Sequence, residues 1–272
     1  MKDRPIVAAI QMTSGHDVDT NLVEAERLIR EAAAAGAGLV VLPECFALMG
    51  QDVLEQLTLR EPDGQGPLQS FLTRVAKANR VWVVGGTIPL AATHPERAHA
   101  ACLVFDDRGQ RVARYDKIHL FDCSVPGADE RYHESTTFEP GSEVVICDSP
   151  CGRLGIGVCY DLRFPELFRR MLDDGLEVLA IPAAFTAATG RAHWETLIRA
   201  RAIENLVFVI AAAQYGLHPN GRETYGHSMV VDPWGTILAQ QPRGTGCVAS
   251  AVDRDFQVSV RRNFPVIDHR RL

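Results

Sequence analysis

The chain has 272 residues, 46% hydrophobic and 23% charged, a composition that suits a folded globular protein and excludes a disordered one. Its 28 basic and 34 acidic side chains leave a net charge of −6, so no general field draws it to nucleic acid or to an anionic membrane. The longest apolar runs, such as 206–213, fall far short of the ~20 residues of a membrane span, and the N-terminus lacks the apolar core of a signal peptide. A cytoplasmic protein is expected. Seven irregularly spaced cysteines fit a reduced compartment better than a disulfide framework. Only Lys2, Lys77 and Lys117 are lysines among the 28 basic residues, so a lysine here marks a place where a compact ammonium is needed, or merely a surface position.

In chain order, 5–11 reads as a buried strand and 19–35 as a helix with Asp19 as N-cap and Gly36 just past its end. Val18, Leu22, Ala25, Ile29 and Ala32 share one face of that helix. A strand at 38–43 stops at a proline, a helix near 66–79 precedes a strand at 81–87, and strands at 100–105 and 111–115 flank a turn at 106–109. A long loop occupies 118–141. Strands at 143–147 and 153–159 lead to a helix at 165–174 with Pro165 in its first turn. A buried strand (176–181), a helix (191–205) and another buried strand (206–213) follow. A hairpin at 227–232 and 235–240 turns at Asp232-Pro-Trp-Gly235, a strand spans 246–252, and the tail is helical and basic. This order predicts an α/β layered domain, with too many strands for one doubly wound sheet. Two sheets face to face, with helices outside, fit better.

Three reactive side chains stand at the carboxyl ends of predicted strands, where α/β proteins gather their ligand sites. They are Glu44, Lys117 and Cys159. Each also has an ordinary reading: Glu44 as a solvated loop carboxylate, Cys159 as a buried inert thiol. Cys159 however ends a strand just before a turn and a helix, where backbone N–H groups favour the thiolate, and the turn is like a nucleophile elbow without the G-x-S-x-G pattern. A cysteine–histidine pair with His119 or His193 stays open. Gly155-x-Gly157 lacks the third glycine of a dinucleotide fingerprint, Cys147 and Cys151 lack a second ligand pair for a metal, and the basic tail reads as a salt-bridged face.

Pro43-Glu44, the run from Tyr115 to Phe121 around Lys117, and Gly157-Val-Cys159-Tyr-Asp-Leu-Arg-Phe-Pro-Glu166 resemble the three signature segments of the nitrilase, or carbon–nitrogen hydrolase, superfamily. Segments 191–195, 199–204 and 225–235 are similar to its Nit subgroup. The resemblance covers almost the whole chain. It implies a single domain over 1–272 with a four-layer αββα sandwich, and pairing into a homodimer or higher homo-oligomer. It implies an amidase that needs no cofactor and no metal, with a small-molecule amide and water as its partners. Cys159 would be the nucleophile, Glu44 the proton shuttle, and Lys117 with the backbone N–H of Tyr160 the oxyanion donors. Glu134 matches the second glutamate of the family, which orients the lysine. For substrate contacts it suggests Arg163 on a carboxylate, a residue that also reads as a salt-bridge partner of Glu166, with Phe185 and Thr189 lining the pocket. The substrate implied is a small keto-acid amide, opened through a thioester with release of ammonia. Deaminated glutathione stands first, then α-ketoglutaramate or an N-carbamoyl or aliphatic amide.

Overall fold

A computed structural model describes residues 4–125 and 131–271. Lys2 and the middle of the 118–141 loop lie outside the described residues. Two sheets account for most of the strands. In the first, Gly246–Ala251, Ile6–Gln11, Ala37–Val41, Trp82–Val84, Ala98–Phe105 and Ile88–Ala91 lie in that order, with Arg111–Asp116 also paired to Ala98–Phe105. In the second the order is Ile237–Gln241, Ser228–Val231, Phe208–Ala213, Val178–Ala183, Gly152–Ile156 and Ile146–Ser149. Each sheet holds three parallel strands at its centre and antiparallel strands at its sides. The parallel crossovers run through helices, which cover the outer face of each sheet.

Side-chain alternation along Ile6–Gln11 explains the layering. Val7 and Ala9 join one buried cluster with Leu39, Val41, Ile156, Leu179 and Ala211, so this face meets the second sheet. Ala8 and Ile10 join the other cluster, with Ala25, Leu28 and Ile29 of helix Val18–Ala34 and Leu72 and Val75 of helix Pro67–Asn79. Helices Pro165–Asp173 and Glu195–Asn205 bury Phe168, Met171, Ile198 and Ala202 against the second sheet. The order is helix, sheet, sheet, helix: the four-layer sandwich that the sequence predicts.

Local differences have local causes. The first helix is capped by Asp17, whose carboxylate accepts the Thr20 N–H at 2.7 Å; Asp19 sits in the first turn instead. The expected strand at 81–87 is shorter, Trp82–Val84, ended at Gly85-Gly86, and a separate unexpected strand, Ile88–Ala91, follows. A β-carbon on Gly86 would lie 2.1 Å from the Pro43 carbonyl oxygen, so this glycine lets the turn before Glu44 pack against its neighbour. The loop after Lys117 contains a short hairpin, Asp122–Ser124 with Arg131–His133, and an unexpected second hairpin joins Tyr215–Leu217 to Glu223–Tyr225. The helix expected over 191–205 begins as a π turn at Gly190–Trp194. In the basic tail, Arg261 donates to the Leu176 and Leu206 carbonyls and Arg270 pairs with Asp173 at 2.8 Å, so those charges bind the tail to its own chain.

Candidate active site

Three strand ends converge between the sheets. Ala37–Val41 runs on through Leu42, whose N–H donates to the Val84 carbonyl, and delivers Glu44 beyond Pro43. Arg111–Asp116 delivers Lys117, fixed by its own N–H on the Ala100 carbonyl and by Gly141 N–H on its carbonyl. Both belong to the first sheet. Gly152–Ile156 of the second sheet delivers Cys159, which opens the 3-10 turn Cys159–Arg163. Cys159 has φ of 47°, a left-handed conformation uncommon for any residue but glycine. Strain of this kind gathers at functional turns. Glu134 arrives from the loop, in the 3-10 turn Glu134–Thr136.

The four side chains form one charged unit. Lys117 Nζ donates to Glu44 Oε1 at 2.8 Å and to both Glu134 oxygens at 2.9 and 2.8 Å. Glu134 also accepts the Phe121 N–H at 2.6 Å. Lys117 is 1% exposed, Glu44 5% and Cys159 7%. Burial works against the lysine charge, but Glu134 and Glu44 outweigh it and hold the ammonium well above its usual range. Burial likewise raises Glu134, against the pull of Lys117. Burial pushes the Cys159 thiol well above its ordinary value; the negative charge of Glu44 adds to the rise, and Lys117 and the Ala184 backbone oppose it without prevailing. The expectation of a thiolate favoured by helix N–H groups is therefore corrected. The turn is only five residues of 3-10 helix, and burial, reinforced by a carboxylate from the opposite sheet, outweighs it. The resting group is a thiol with a base beside it.

His119 faces away from this unit. Its backbone and Nδ1 approach Asp161 Oδ1 at 3.0 and 2.7 Å. His193 lies 3.2 Å from Arg163 Nη1. A cavity of about 540 Å³ opens over Glu44, Lys117, Glu134 and Cys159, within the range of small-molecule sites. A narrower cleft beside Cys159 is lined by Tyr160, Arg163, Phe185 and Thr189, the remaining residues singled out from the sequence. Arg163 bonds to His193 there, with its guanidinium 5.7 Å from the Tyr160 ring centre and 5.0 Å from that of Phe185. Phe185 is buried against Trp194, and Thr189 bonds to the Thr186 hydroxyl at 2.9 Å.

Sequence reasoning missed Arg131, Arg222 and Cys45, which all line the larger cavity. Cys45 adjoins Glu44, and burial pushes its thiol up to about 12. It also missed the part played by Asp161. A buried aspartate two residues after Cys159 was in view, but its partners come from another strand end.

A model of the carbon–nitrogen hydrolase family matches residues 6–262. Among curated relatives, the deaminated glutathione amidase of Yersinia enterocolitica is 40% identical over 97% of this chain and 92% of its own length. The human deaminated glutathione amidase is 40% identical over 98% of this chain and 82% of its own length. Among solved structures, Saccharomyces cerevisiae Nit3, a nitrilase-superfamily protein, superposes with a TM-score of 0.88 at 31% identity, over 99% of this chain and 97% of that one. The Caenorhabditis elegans NitFhit protein gives a TM-score of 0.87 at 37% identity, over 98% of this chain and 65% of that one.

Proposed function

The chain belongs to the carbon–nitrogen hydrolase family and is a hydrolase of non-peptide carbon–nitrogen bonds, and from that premise we propose that its whole length forms one domain hydrolysing deaminated glutathione at a Glu44–Lys117–Cys159 centre. The observation that carries the reading is the Lys117 ammonium held between Glu44 and Glu134 at 2.8–2.9 Å, above a cavity that also exposes Cys159. The relatives at 40% identity supply the substrate.

The Cys159 sulfur attacks the amide carbonyl as its proton passes to Glu44. The carbonyl oxygen becomes an oxyanion, stabilised by Lys117 and by the Tyr160 N–H. Collapse of the tetrahedral intermediate breaks the C–N bond. Glu44 returns the proton to the departing nitrogen, leaving a thioester on Cys159. Glu44 then takes a proton from water, whose oxygen attacks the thioester, and the acid leaves as the thiol re-forms. The ammonia expected from the sequence is the leaving group only of a primary amide such as α-ketoglutaramate; that expectation is corrected for deaminated glutathione, whose scissile nitrogen belongs to a peptide and leaves as a peptide amine. Glu134 positions Lys117. Arg163 holds the carboxylate of the keto-acid end, with Phe185 and Thr189 beside it.

The test is product release from deaminated glutathione, α-ketoglutaramate, a simple aliphatic amide and an N-carbamoyl amino acid. The highest kcat/KM is expected on deaminated glutathione. Preference for α-ketoglutaramate would make the chain an ω-amidase, and preference for a neutral amide would remove the role of Arg163. Among the described residues no helix is long and apolar enough to cross a membrane. The family resemblance alone supports work in the cytoplasm as a homodimer or larger assembly; light scattering would measure the assembly.

A further inference from the structure

Cys159 lines both the 540 Å³ cavity and the narrower cleft, and so stands where the two spaces meet. Arg163 lines only the cleft. Among the described residues, the arginines lining the larger cavity are Arg131 and Arg222, and Arg222 lines both spaces. The cleft offers only about 10 Å³ of free space against about 540 Å³ in the larger cavity, so the bulkier half of an amide bound at Cys159, the peptide leaving group of deaminated glutathione, lies in the larger cavity.

Arg222 is held for such a task. It sits where the chain returns into the strand Glu223–Tyr225, its N–H on Asn220 Oδ1 at 3.0 Å and its carbonyl accepting the His218 N–H at 2.8 Å. One guanidinium nitrogen, Nη2, donates to the Ala184 carbonyl. The group also lies 5.0 Å from the Tyr132 ring centre. Its Nε is buried and, among the described residues, has no hydrogen-bond partner. A buried donor left unmade costs stability, which is recovered when an acceptor arrives. Among the described residues, the nearby acids do not supply one. Glu44 and Glu134 are engaged by Lys117, and Asp52, also on the cavity wall, accepts the Leu54 N–H.

We propose that Arg222 binds the terminal carboxylate of the leaving group, and so selects amides whose amine half is a peptide acid over primary amides. The assignment rests on the reading of deaminated glutathione as substrate. That molecule ends in a glycine carboxylate on the amine side of the scissile bond, whereas α-ketoglutaramate yields only ammonia. Arg222 is thus a specificity residue, distinct in task from Arg163 at the acyl end.

The experiment compares deaminated glutathione with its C-terminal amide, in the unmodified enzyme and in Arg222→Gln and Arg222→Lys. α-Ketoglutaramate is run in each protein to correct for any disturbance of the Cys159 centre. In the unmodified enzyme, amidation should lower kcat/KM by roughly ten- to 150-fold, the worth of one charge-assisted contact. In Arg222→Gln the same amidation should matter less than about threefold, because the contact is already gone. Arg222→Lys, which keeps charge but loses the fork, should fall between. Equal losses on amidation in all three proteins, with deaminated glutathione still turned over, would overturn this assignment alone. No turnover of deaminated glutathione by the unmodified enzyme would overturn the substrate reading, and the assignment with it.

Discussion

Asp161 Oδ2 accepts the Tyr115 hydroxyl at 2.7 Å, and through this contact the strand that ends in Lys117 is tied to the turn that begins at Cys159. The same oxygen takes the Val158 N–H at 2.8 Å, while Oδ1 takes the His119 N–H at 3.0 Å. Asp161 is fully buried, and its two oxygens face donors on both sides of the site.

Asp161→Asn should therefore cost more than its shape suggests. An amide has one accepting oxygen, so either His119 or both Tyr115 and Val158 would meet an NH₂ group. We expect a stability loss of about 1–3 kcal/mol by urea denaturation, with kcat reduced more than KM is raised. Unchanged stability and rate would mean that water substitutes for the carboxylate.

Cys159→Ala should abolish turnover with the fold intact, and mass spectrometry of enzyme quenched on substrate should find the acyl group on Cys159. Cys45 is the informative control, since it lines the same cavity yet lies beside the base instead of across from it. Cys45→Ala should keep most activity. Because burial and then Glu44 hold the Cys159 thiol neutral, its alkylation by iodoacetamide in the free enzyme should be slow at neutral pH and still be accelerating above pH 9. A plateau near pH 7 would show a resting thiolate.

Lys117→Arg should be nearly as harmful as Lys117→Ala, although charge is retained. Three carboxylate oxygens within 2.9 Å surround a single ammonium, and a planar guanidinium is too wide for that point. Loss of an oxyanion donor typically reduces kcat about 10²–10³-fold. Near-normal kcat in the arginine variant would show that charge alone suffices.

The pH dependence of stability has a specific contributor in His218. It is buried between the Ser14 carbonyl and the Thr224 hydroxyl, both at 2.8 Å, and burial lowers its pKa from 6.5. A depressed folded pKa gives stability that is present above the unfolded value and lost as pH falls through the folded one. Between pH 7 and 5 the urea midpoint should fall, and in His218→Gln, which cannot titrate, that fall should be shallower. Identical slopes would place the loss elsewhere.

What was legible in the sequence follows from the range of the forces involved. Alternation in 5–11 and the proline after 38–42 are local signals, and they place Glu44 at a strand end without reference to the rest of the chain. Strand–turn patterning does the same for Lys117 and Cys159. The protonation state of Cys159 was not legible, because the burial that sets it and the carboxylate that reinforces it both come from the packing of one sheet on the other. Arg222 was hidden for a similar reason. Its strands, 215–217 and 223–225, are too short to leave a periodic signal, and only the folded chain sets them over Cys159. The first helix is capped by Asp17 and not by the expected Asp19, because the capping carboxylate stands three residues before the N–H it accepts, here that of Thr20.

The base and the ammonium hang from one sheet and the thiol from the other, so the sulfur's reach to its base is set by how far apart the two sheets stand. That spacing is fixed by side chains remote from the chemistry: Val7, Leu39 and Val41 on one side, Ile156 and Ala211 among those across from them. The interior thus acts as the calliper of the catalytic gap. A methyl group added or removed midway between the sheets would register as a change in rate as well as in the urea midpoint.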